Sequence, residues 1–256
     1  MKNTGLLVAG MAVIAFVGLA LARDLATIKA AGTIVVGTEG AYPPMNFFKG
    51  KDLTGFEIDL TNALAKNLGL KTEWKVLSFD ALLPALGQGR FDMVAASHTI
   101  TPERAKAVDF LKPEYCTDGV WVTKAGGPMT VAALAGKKIG SDVGSTNLAI
   151  LSTLKGVNAS DIKSFPKATD ALQALIAGRI DAWSVDRFPA EDAIKANPAA
   201  KLVLGGVIYV QRNAMAVAKG NAALRAELNK GLANVMKDGT FAAISKKWFK
   251  QDIRCK

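Results

Sequence analysis

The sequence predicts an α/β fold made of two similar lobes. Strand-like segments alternate with helix-like segments along the chain, which is typical of open, mostly parallel sheets. One block also occurs twice: residues 85–92 read Ala-Leu-Gly-Gln-Gly-Arg-Phe-Asp and residues 174–181 read Ala-Leu-Ile-Ala-Gly-Arg-Ile-Asp, each shortly after an Asp-Ala-Leu segment. We therefore expect a helix, a Gly-Arg turn and a short strand once in each lobe.

The chain begins with an apolar segment. Lys2 precedes an apolar run over 6–22, which ends in Ala-Leu-Ala directly before Arg23. A basic start, an apolar stretch and a small-residue cleavage site predict a secretory signal peptide over residues 1–22, cleaved after Ala22. The alternative is a retained membrane anchor, because the apolar run approaches membrane-spanning length.

The elements that follow alternate in type. The patterning predicts strands at 34–36 and 91–95 and helices over 56–68 and 80–86. Ligands of open α/β sheets bind outside the carboxyl ends of the strands. The loops that follow the predicted strands are therefore the place to search for a site, and they span 38–47, 96–104, 141–147 and 183–187.

Composition and charge exclude several kinds of function. The formal charge is +10, but six of these net charges lie in residues 219–256, and there is no basic stripe elsewhere that would indicate nucleic-acid binding. One histidine and two distant cysteines exclude a Cys/His zinc cluster. A Ser-His-Asp triad would need His98, and no nucleophile stands in a G-x-S-x-G context. We expect no cofactor, and we expect His98 to be a spacer or a ligand contact.

The loop at 96–104 carries the features of an anion site. Thr101 suits the N-cap of a helix and Pro102 its first position. Free backbone N–H groups, the helix dipole and the hydroxyls of Ser97 and Thr99 would favour an anion, and Arg104 adds a fork that can hold a carboxylate. The alternative, which this segment alone favours, is an ordinary capped helix with a solvated arginine.

Two loops of the second half have similar chemistry. Ser145 and Thr146 follow a glycine turn after a predicted strand at 138–141, without the lysine and glycine spacing of a phosphate-binding loop. Asp186 follows a predicted strand at 182–185. It is either a lone carboxylate that faces the gap between the lobes or the N-cap of a helix over 189–196.

Seven segments in this order resemble the polar amino-acid-binding proteins of ABC transporters, which include lysine/arginine/ornithine-, histidine- and glutamine-binding proteins. The likeness runs from about residue 33 to 250. The matching segments are Gly-Thr-Glu-Gly-Ala-Tyr-Pro-Pro at 37–44, Gly-Phe-Glu-Ile-Asp-Leu at 55–60, Phe-Asp-Ala-Leu-Leu-Pro-Ala-Leu at 79–86, Ile-Thr-Pro-Glu-Arg at 100–104, Gly-Ser-Thr at 144–146, Ala-Gly-Arg-Ile-Asp-Ala at 177–182 and Lys-Lys-Trp-Phe at 246–249.

The resemblance implies a two-lobed periplasmic-binding-protein clamshell, with a mixed, mostly parallel sheet flanked by helices in each lobe. Lobe 1 would comprise residues 24–115 plus 214–256 and lobe 2 residues 118–210, with hinge strands near 114–118 and 210–214. It implies a periplasmic monomer that binds a free amino acid by closing its cleft and passes it to a membrane permease, with no nucleic-acid partner and no enzymatic activity.

The resemblance also assigns roles to residues of the site. Arg104 would hold the α-carboxylate of the ligand and Asp186 its α-ammonium group, with Tyr42 and Phe79 on either side of the ligand side chain. The hydroxyls and amides of Ser97, Thr99, Ser145 and Thr146 would complete the site, and Glu39 and Asp142 would lie near the ligand side chain. His98 replaces the small apolar residue that is usual in its loop.

Three acids against one arginine around the cleft favour a basic ligand, arginine or lysine first. Glutamine or histidine is the alternative, because an acid at the Glu39 position also occurs in binders of neutral ligands. Cyclohexadienyl dehydratases, which are enzymes on the same fold, are the runner-up class, and the ligand-binding domain of a sensor is a third possibility. Export would also permit a disulfide, for which Cys116 and Cys255 are the only pair, and two free thiols are the alternative.

Overall fold

The computed structural model describes residues 22–255 and contains two five-stranded sheets and one three-stranded sheet. The predicted signal peptide lies outside the described residues, apart from Ala22. Within residues 22–255, no helix combines the length and the apolarity that a membrane span requires. The predicted α/β fold with two sheet-containing lobes is confirmed.

The first sheet has the strand order β5-β1-β6-β13-β7, with labels that follow the chain. β1 pairs in parallel with both β5 and β6, and β13 pairs antiparallel with β6 and β7. The strands are β1 (Thr33–Thr38), β5 (Lys71–Val76), β6 (Met93–Val94), β7 (Val108–Phe110) and β13 (Ala216–Ala218). The helices of this lobe are α1 (Leu25–Ala31), α2 (Phe56–Asn67), α3 (Phe79–Gly87), α4 (Pro102–Ala107), α8 (Ala222–Lys237) and α9 (Thr240–Phe249).

The small sheet and the second large sheet complete the strands. The small sheet is formed by β2 (Ala41–Tyr42), β3 (Asn46–Lys49) and β4 (Asp52–Thr54). The second large sheet has the order β10-β9-β11-β8-β12, in which β10, β9 and β11 are parallel and β8 is antiparallel to both of its neighbours. Its strands are β8 (Tyr115–Lys124), β9 (Ile139–Asp142), β10 (Ile162–Phe165), β11 (Ala182–Asp186) and β12 (Leu202–Asn213), and its helices are α5 (Thr146–Leu151), α6 (Ala168–Ile176) and α7 (Arg187–Ala196).

The repeated sequence block forms the same local structure in each lobe. After α3, the Arg90 N–H donates to the Ala85 carbonyl at 3.1 Å, and after α6 the Arg179 N–H donates to the Ala174 carbonyl at 2.8 Å. Gly89 and Gly178 both have φ of 72°. Each helix therefore ends in the glycine turn that returns the chain to the sheet, as the repeat predicts.

Two strands carry the chain between the sheets. β8 and β12 pair antiparallel from Tyr115 opposite Asn213 onward, and β12 forms one edge of the second sheet. The sulfur atoms of Cys116 and Cys255 are bonded, and the Cys116 N–H donates to the Ile253 carbonyl at 3.3 Å. The C-terminal residues are therefore joined covalently to the start of β8.

Candidate functional site

The loops after the carboxyl ends of the strands meet between the two large sheets and line a narrow cavity that is partly open to solvent. Nine of the eleven residues proposed from the sequence line it, whereas His98 and Arg104 do not. The lining residues are Glu39, Tyr42, Phe79, Ser97, Thr99, Asp142, Ser145, Thr146, Asn147 and Asp186. The carboxyl-end rule for open sheets therefore located the cavity from the sequence.

Arg104 lies beside the cavity and connects the two lobes. Its Nη1 donates to the Thr99 carbonyl at 3.0 Å, and its Nη2 donates to the Gly144 carbonyl of the second lobe at 2.9 Å. The predicted N-cap is present, since Thr101 Oγ1 accepts from the Arg104 N–H at 3.1 Å. Within the described residues no carboxylate forms an ion pair with this guanidinium, and its burial lowers the pKa of Arg104. The charge is held by neutral carbonyl groups, which leaves it able to attract an anion.

His98 lies behind the cavity wall. Its ring stacks on Phe79, with 4.4 Å between the centroids and 13° between the planes. Burial, and next the charge of Arg104, holds the pKa of His98 well below its usual value, so the ring is neutral at pH 7. The residue supports the Phe79 side chain and does not reach the cavity.

The loop that carries Ser97 and Thr99 reaches across to the second lobe. Ser97 has φ of 51°, a left-handed conformation that is uncommon for residues other than glycine, and its N–H donates to Glu57 Oε1 at 2.5 Å. Thr99 Oγ1 lies 3.0 Å from Thr146 Oγ1 and donates to Gln211 Oε1. These contacts hold the two lobes together at the cavity.

On the second lobe, Ser145 is the N-cap of α5. Its hydroxyl accepts from the Leu148 N–H at 3.0 Å and donates to the Asp142 carbonyl at 2.7 Å. Gly144, with φ of 78°, lies so close to the first lobe that a Cβ atom there would be 3.0 Å from the Asp80 Cβ. A glycine is therefore required both by the turn and by the approach of the lobes.

Asp186 is buried, and its side chain does not cap α7 although the residue occupies the N-cap position. Its Oδ1 accepts from Asn147 Nδ2 at 2.7 Å and also from Gln211 Nε2. The Asp186 N–H donates to the Tyr42 hydroxyl at 3.3 Å. Both alternatives are therefore met in part: Asp186 is the N-cap residue by position because α7 begins at Arg187, but its carboxylate makes no cap hydrogen bond and lines the cavity.

Three residues of the site were missed by the sequence analysis: Asn147, Tyr209 and Gln211. The Tyr209 hydroxyl donates to Thr146 Oγ1 at 3.0 Å and to Asn147 Oδ1 at 3.1 Å. Tyr209 and Gln211 alternate along β12 with Val210, which is 72% exposed. This period of two was the signal that could have identified them, since alternate residues of a strand share a face.

Acidic groups exceed basic groups around the cavity. Burial, and next the repulsion of Asp142, raises the pKa of Glu39 to about 8, with a smaller opposite effect from Lys167. Burial raises the pKa of Asp142 to about 6 and also raises the pKa of Asp186. Glu39 Oε1 is buried and has no hydrogen-bond partner among the described residues. A cation brought into this cavity would stabilise the ionised form of all three carboxyl groups.

Two α/β lobes joined by two strands, with polar loops that meet across a cleft, define a two-lobed ligand-binding protein. The chain belongs to the bacterial extracellular solute-binding proteins, family 3, whose model matches residues 34–251. This assignment confirms the predicted kinship with amino-acid-binding proteins of ABC transporters, and family and relatives are binding proteins.

The relatives differ in the ligand that their names give. The chain is 37% identical over 253 residues to the L-cystine-binding protein TcyJ of Escherichia coli (strain K12), across 96% of this chain and 92% of the relative. An ancestral arginine-binding protein, solved with arginine and with glutamine, is 39% identical at a TM-score of 0.81, and its arginine complex covers 85% of this chain and 98% of that one. The ancestral amino-acid-binding protein AncCDT-1, a precursor of cyclohexadienyl dehydratase, is 32% identical at a TM-score of 0.79 and covers 88% and 99%.

Proposed function

We propose that this protein binds a polar L-amino acid with a positively charged side chain, arginine or lysine first, outside the cytoplasm and delivers it to the permease of an ABC importer. The observation that carries the proposal is the set of three buried carboxyl groups, Glu39, Asp142 and Asp186, around the cavity, with Arg104 as the guanidinium on which Asp186 and Asp142 act. An amino acid with two positive groups and one negative group complements this set.

The α-carboxylate of the ligand would bind Arg104. That guanidinium donates to two neutral carbonyls, of Thr99 and Gly144, and a carboxylate is a stronger acceptor for the same fork. The N–H groups and hydroxyls of Thr99 and Thr146 lie at the junction of the lobes and would complete the carboxylate site.

The two positive groups would bind at the acids. Asp186 would accept the α-ammonium group in place of the amide donors of Asn147 and Gln211. The side chain of the ligand would lie between Tyr42 and Phe79, with its cationic end at Glu39 and Asp142. The contribution of an aromatic face to a cation is about 0.5–2 kcal/mol, which adds to the ionic contacts.

L-Cystine is the second candidate, because of the 37% identity to a cystine-binding protein over almost the whole chain. Its distal ammonium group would use Glu39 as a basic side chain would. Its distal carboxylate needs a second cation, and Lys167, whose charge lowers the pKa of Glu39, is the candidate. Substitution of Lys167 by alanine would therefore weaken cystine binding and would leave or tighten arginine binding.

Calorimetry on the mature protein with the twenty amino acids and L-cystine tests the proposal. Tightest binding by arginine or lysine supports it, and tightest binding by cystine selects the second candidate. Tightest binding by glutamine or histidine contradicts a cationic ligand. Formation of product from prephenate or arogenate would assign the protein instead to the enzymes on this fold.

We propose in addition that the protein is exported with loss of its N-terminal segment and that it has two lobes joined by hinges. Residues 1–22 would be removed in the periplasm, which leaves a monomer with lobe 1 at 24–115 plus 214–256, lobe 2 at 118–210 and hinges near 114–118 and 210–214. Mass spectrometry of the exported protein would show a chain that starts at Arg23. A mass that retains residues 1–22 would favour the anchored alternative.

A further inference from the structure

A second cavity, of about 430 Å³, lies between the two lobes next to the cleft. The first lobe contributes residues 41–43, and the second lobe contributes side chains of α6, β11 and α7. Tyr42 lines both cavities. The second cavity takes no part in the proposed binding of an amino acid.

The walls of this cavity are mostly apolar, and two polar groups in them form no hydrogen bond with any of the described residues. Trp183 is 2% exposed, and its Nε1 has no hydrogen-bond partner among the described residues. Asp192 is half-buried, and its carboxyl group forms neither a hydrogen bond nor an ion pair with another residue of the range 22–255. Burial raises its pKa, and Lys195 acts in the opposite direction. Buried polar groups are normally paired, so the Trp183 N–H calls for a partner, whereas the half-buried Asp192 carboxyl group reaches solvent and is open to a ligand.

The two groups have complementary chemistry. An indole N–H can only donate, and a carboxylate can only accept. A molecule that satisfies both has a hydrogen-bond acceptor, a positively charged donor and an apolar body that fits against Leu172 and Pro189. A cavity of this size that is lined mainly by apolar side chains has room for an aromatic ring.

We propose that this cavity is a second ligand site, which binds a small aromatic primary amine. The ammonium group would pair with Asp192, the ring would lie against the apolar wall, and an oxygen on the ring would accept from Trp183 Nε1. Because the walls come from both lobes, the site is complete only when the lobes are closed. An occupant would therefore favour the closed arrangement and tighten binding in the cleft, and the effect is reciprocal.

Titration calorimetry with tyramine tests this site, with 4-ethylphenol as the matched probe that lacks the ammonium group. We expect wild-type protein to bind tyramine more tightly than 4-ethylphenol. Asp192→Asn should weaken tyramine binding at least tenfold and leave 4-ethylphenol unchanged, because it removes only the carboxylate charge. Trp183→Phe should weaken both probes, since it removes the N–H and keeps an aromatic wall. Glu191→Gln, on the exposed side of the same helix, should change neither.

A competition experiment separates the two cavities. Saturating tyramine should lower the dissociation constant of the amino acid that fills the cleft. That amino acid, when saturating, should lower the dissociation constant of tyramine by the same factor. If that amino acid displaces tyramine, tyramine binds in the cleft, which would overturn the proposal. Absence of binding at millimolar tyramine, or equal loss in Glu191→Gln, would overturn it as well. The tyramine titrations do not depend on which amino acid fills the cleft, so a failure here is distinct from a failure of the proposed function.

Discussion

Glu39→Gln removes the one carboxyl group of the cleft whose pKa lies near 8. A carboxyl group with that pKa is about 90% protonated at pH 7, and a cation that contacts it stabilises the ionised form. Binding of arginine at pH 7 should therefore release about 0.9 proton from Glu39. The substitution keeps the size of the side chain and abolishes the titration.

The sign of the pH dependence follows from the same pKa. The ionised form binds the cation, so affinity must fall as the pH falls below about 8. The ionised fraction rises about ninefold from pH 6 to pH 7 and about fivefold from pH 7 to pH 8, and the association constant should rise in the same proportions. Above about pH 9 ionisation of Glu39 adds little more, and loss of the proton from the ligand's α-ammonium group should weaken binding. Asp142, with a pKa of about 6, would add a further loss in more acidic solution.

The assay is calorimetry in two buffers that differ in ionisation enthalpy, because the difference between the observed heats gives the number of protons released. Wild-type protein should release close to one proton with arginine and lysine, and Glu39→Gln should release far fewer and bind with a flatter pH profile. Release of no proton by wild-type protein at pH 7 would refute the reasoning. Equal release with glutamine would show that the cation is not what ionises Glu39.

Three further predictions concern binding and stability. Arg104→Ala should weaken amino-acid binding by several kcal/mol, because it removes the partner of a buried carboxylate, whereas Arg179→Ala, at an exposed position, should leave the calorimetric affinity unchanged. Gly144→Ala should weaken binding at least tenfold, since its Cβ would lie 3.0 Å from the Cβ of Asp80 and the residue has a left-handed conformation. X-ray scattering with ligand should show a less compact molecule than the wild-type protein. A variant as compact as the wild-type protein would contradict this. Replacement of both Cys116 and Cys255 by serine opens a loop of 139 residues. In the chain-entropy model this lowers the free energy of unfolding by about 5 kcal/mol, which urea titrations measure. A loss near zero would show that removal of the disulfide does not expand the unfolded state.

Much of the fold could be predicted from the chain because local rules determine it. The Gly-Arg turns of the repeat, the Thr101 cap and the loops at the carboxyl ends of the strands all depend on neighbours in sequence or on a general property of open sheets. Strand bounds were less accurate: the strand predicted at 91–95 is only Met93–Val94, since residues on either side belong to loops.

The rest of the site depends on contacts between distant segments. Gln211 joins Asp186 and Thr99 only because β12 runs beside β8 at the junction of the lobes. Arg104 donates to Gly144, and His98 packs behind Phe79, because the fold brings their loops together. No spacing in the sequence encodes these pairings, so they could not be derived from it.

The two strands that connect the lobes are unequal in their attachment. Cys116 fastens β8 covalently to the C-terminal residues, whereas β12 is held by its hydrogen bonds to β8, and its register against β8 shifts near Val207. If the lobes part, the start of β8 must therefore move together with the C-terminal residues, and we expect β12 to bend at its register shifts. A pair of spin labels on the two cleft rims would report this motion, and neither label should stand at the exposed Val210, which lies in the expected hinge segment near 210–214.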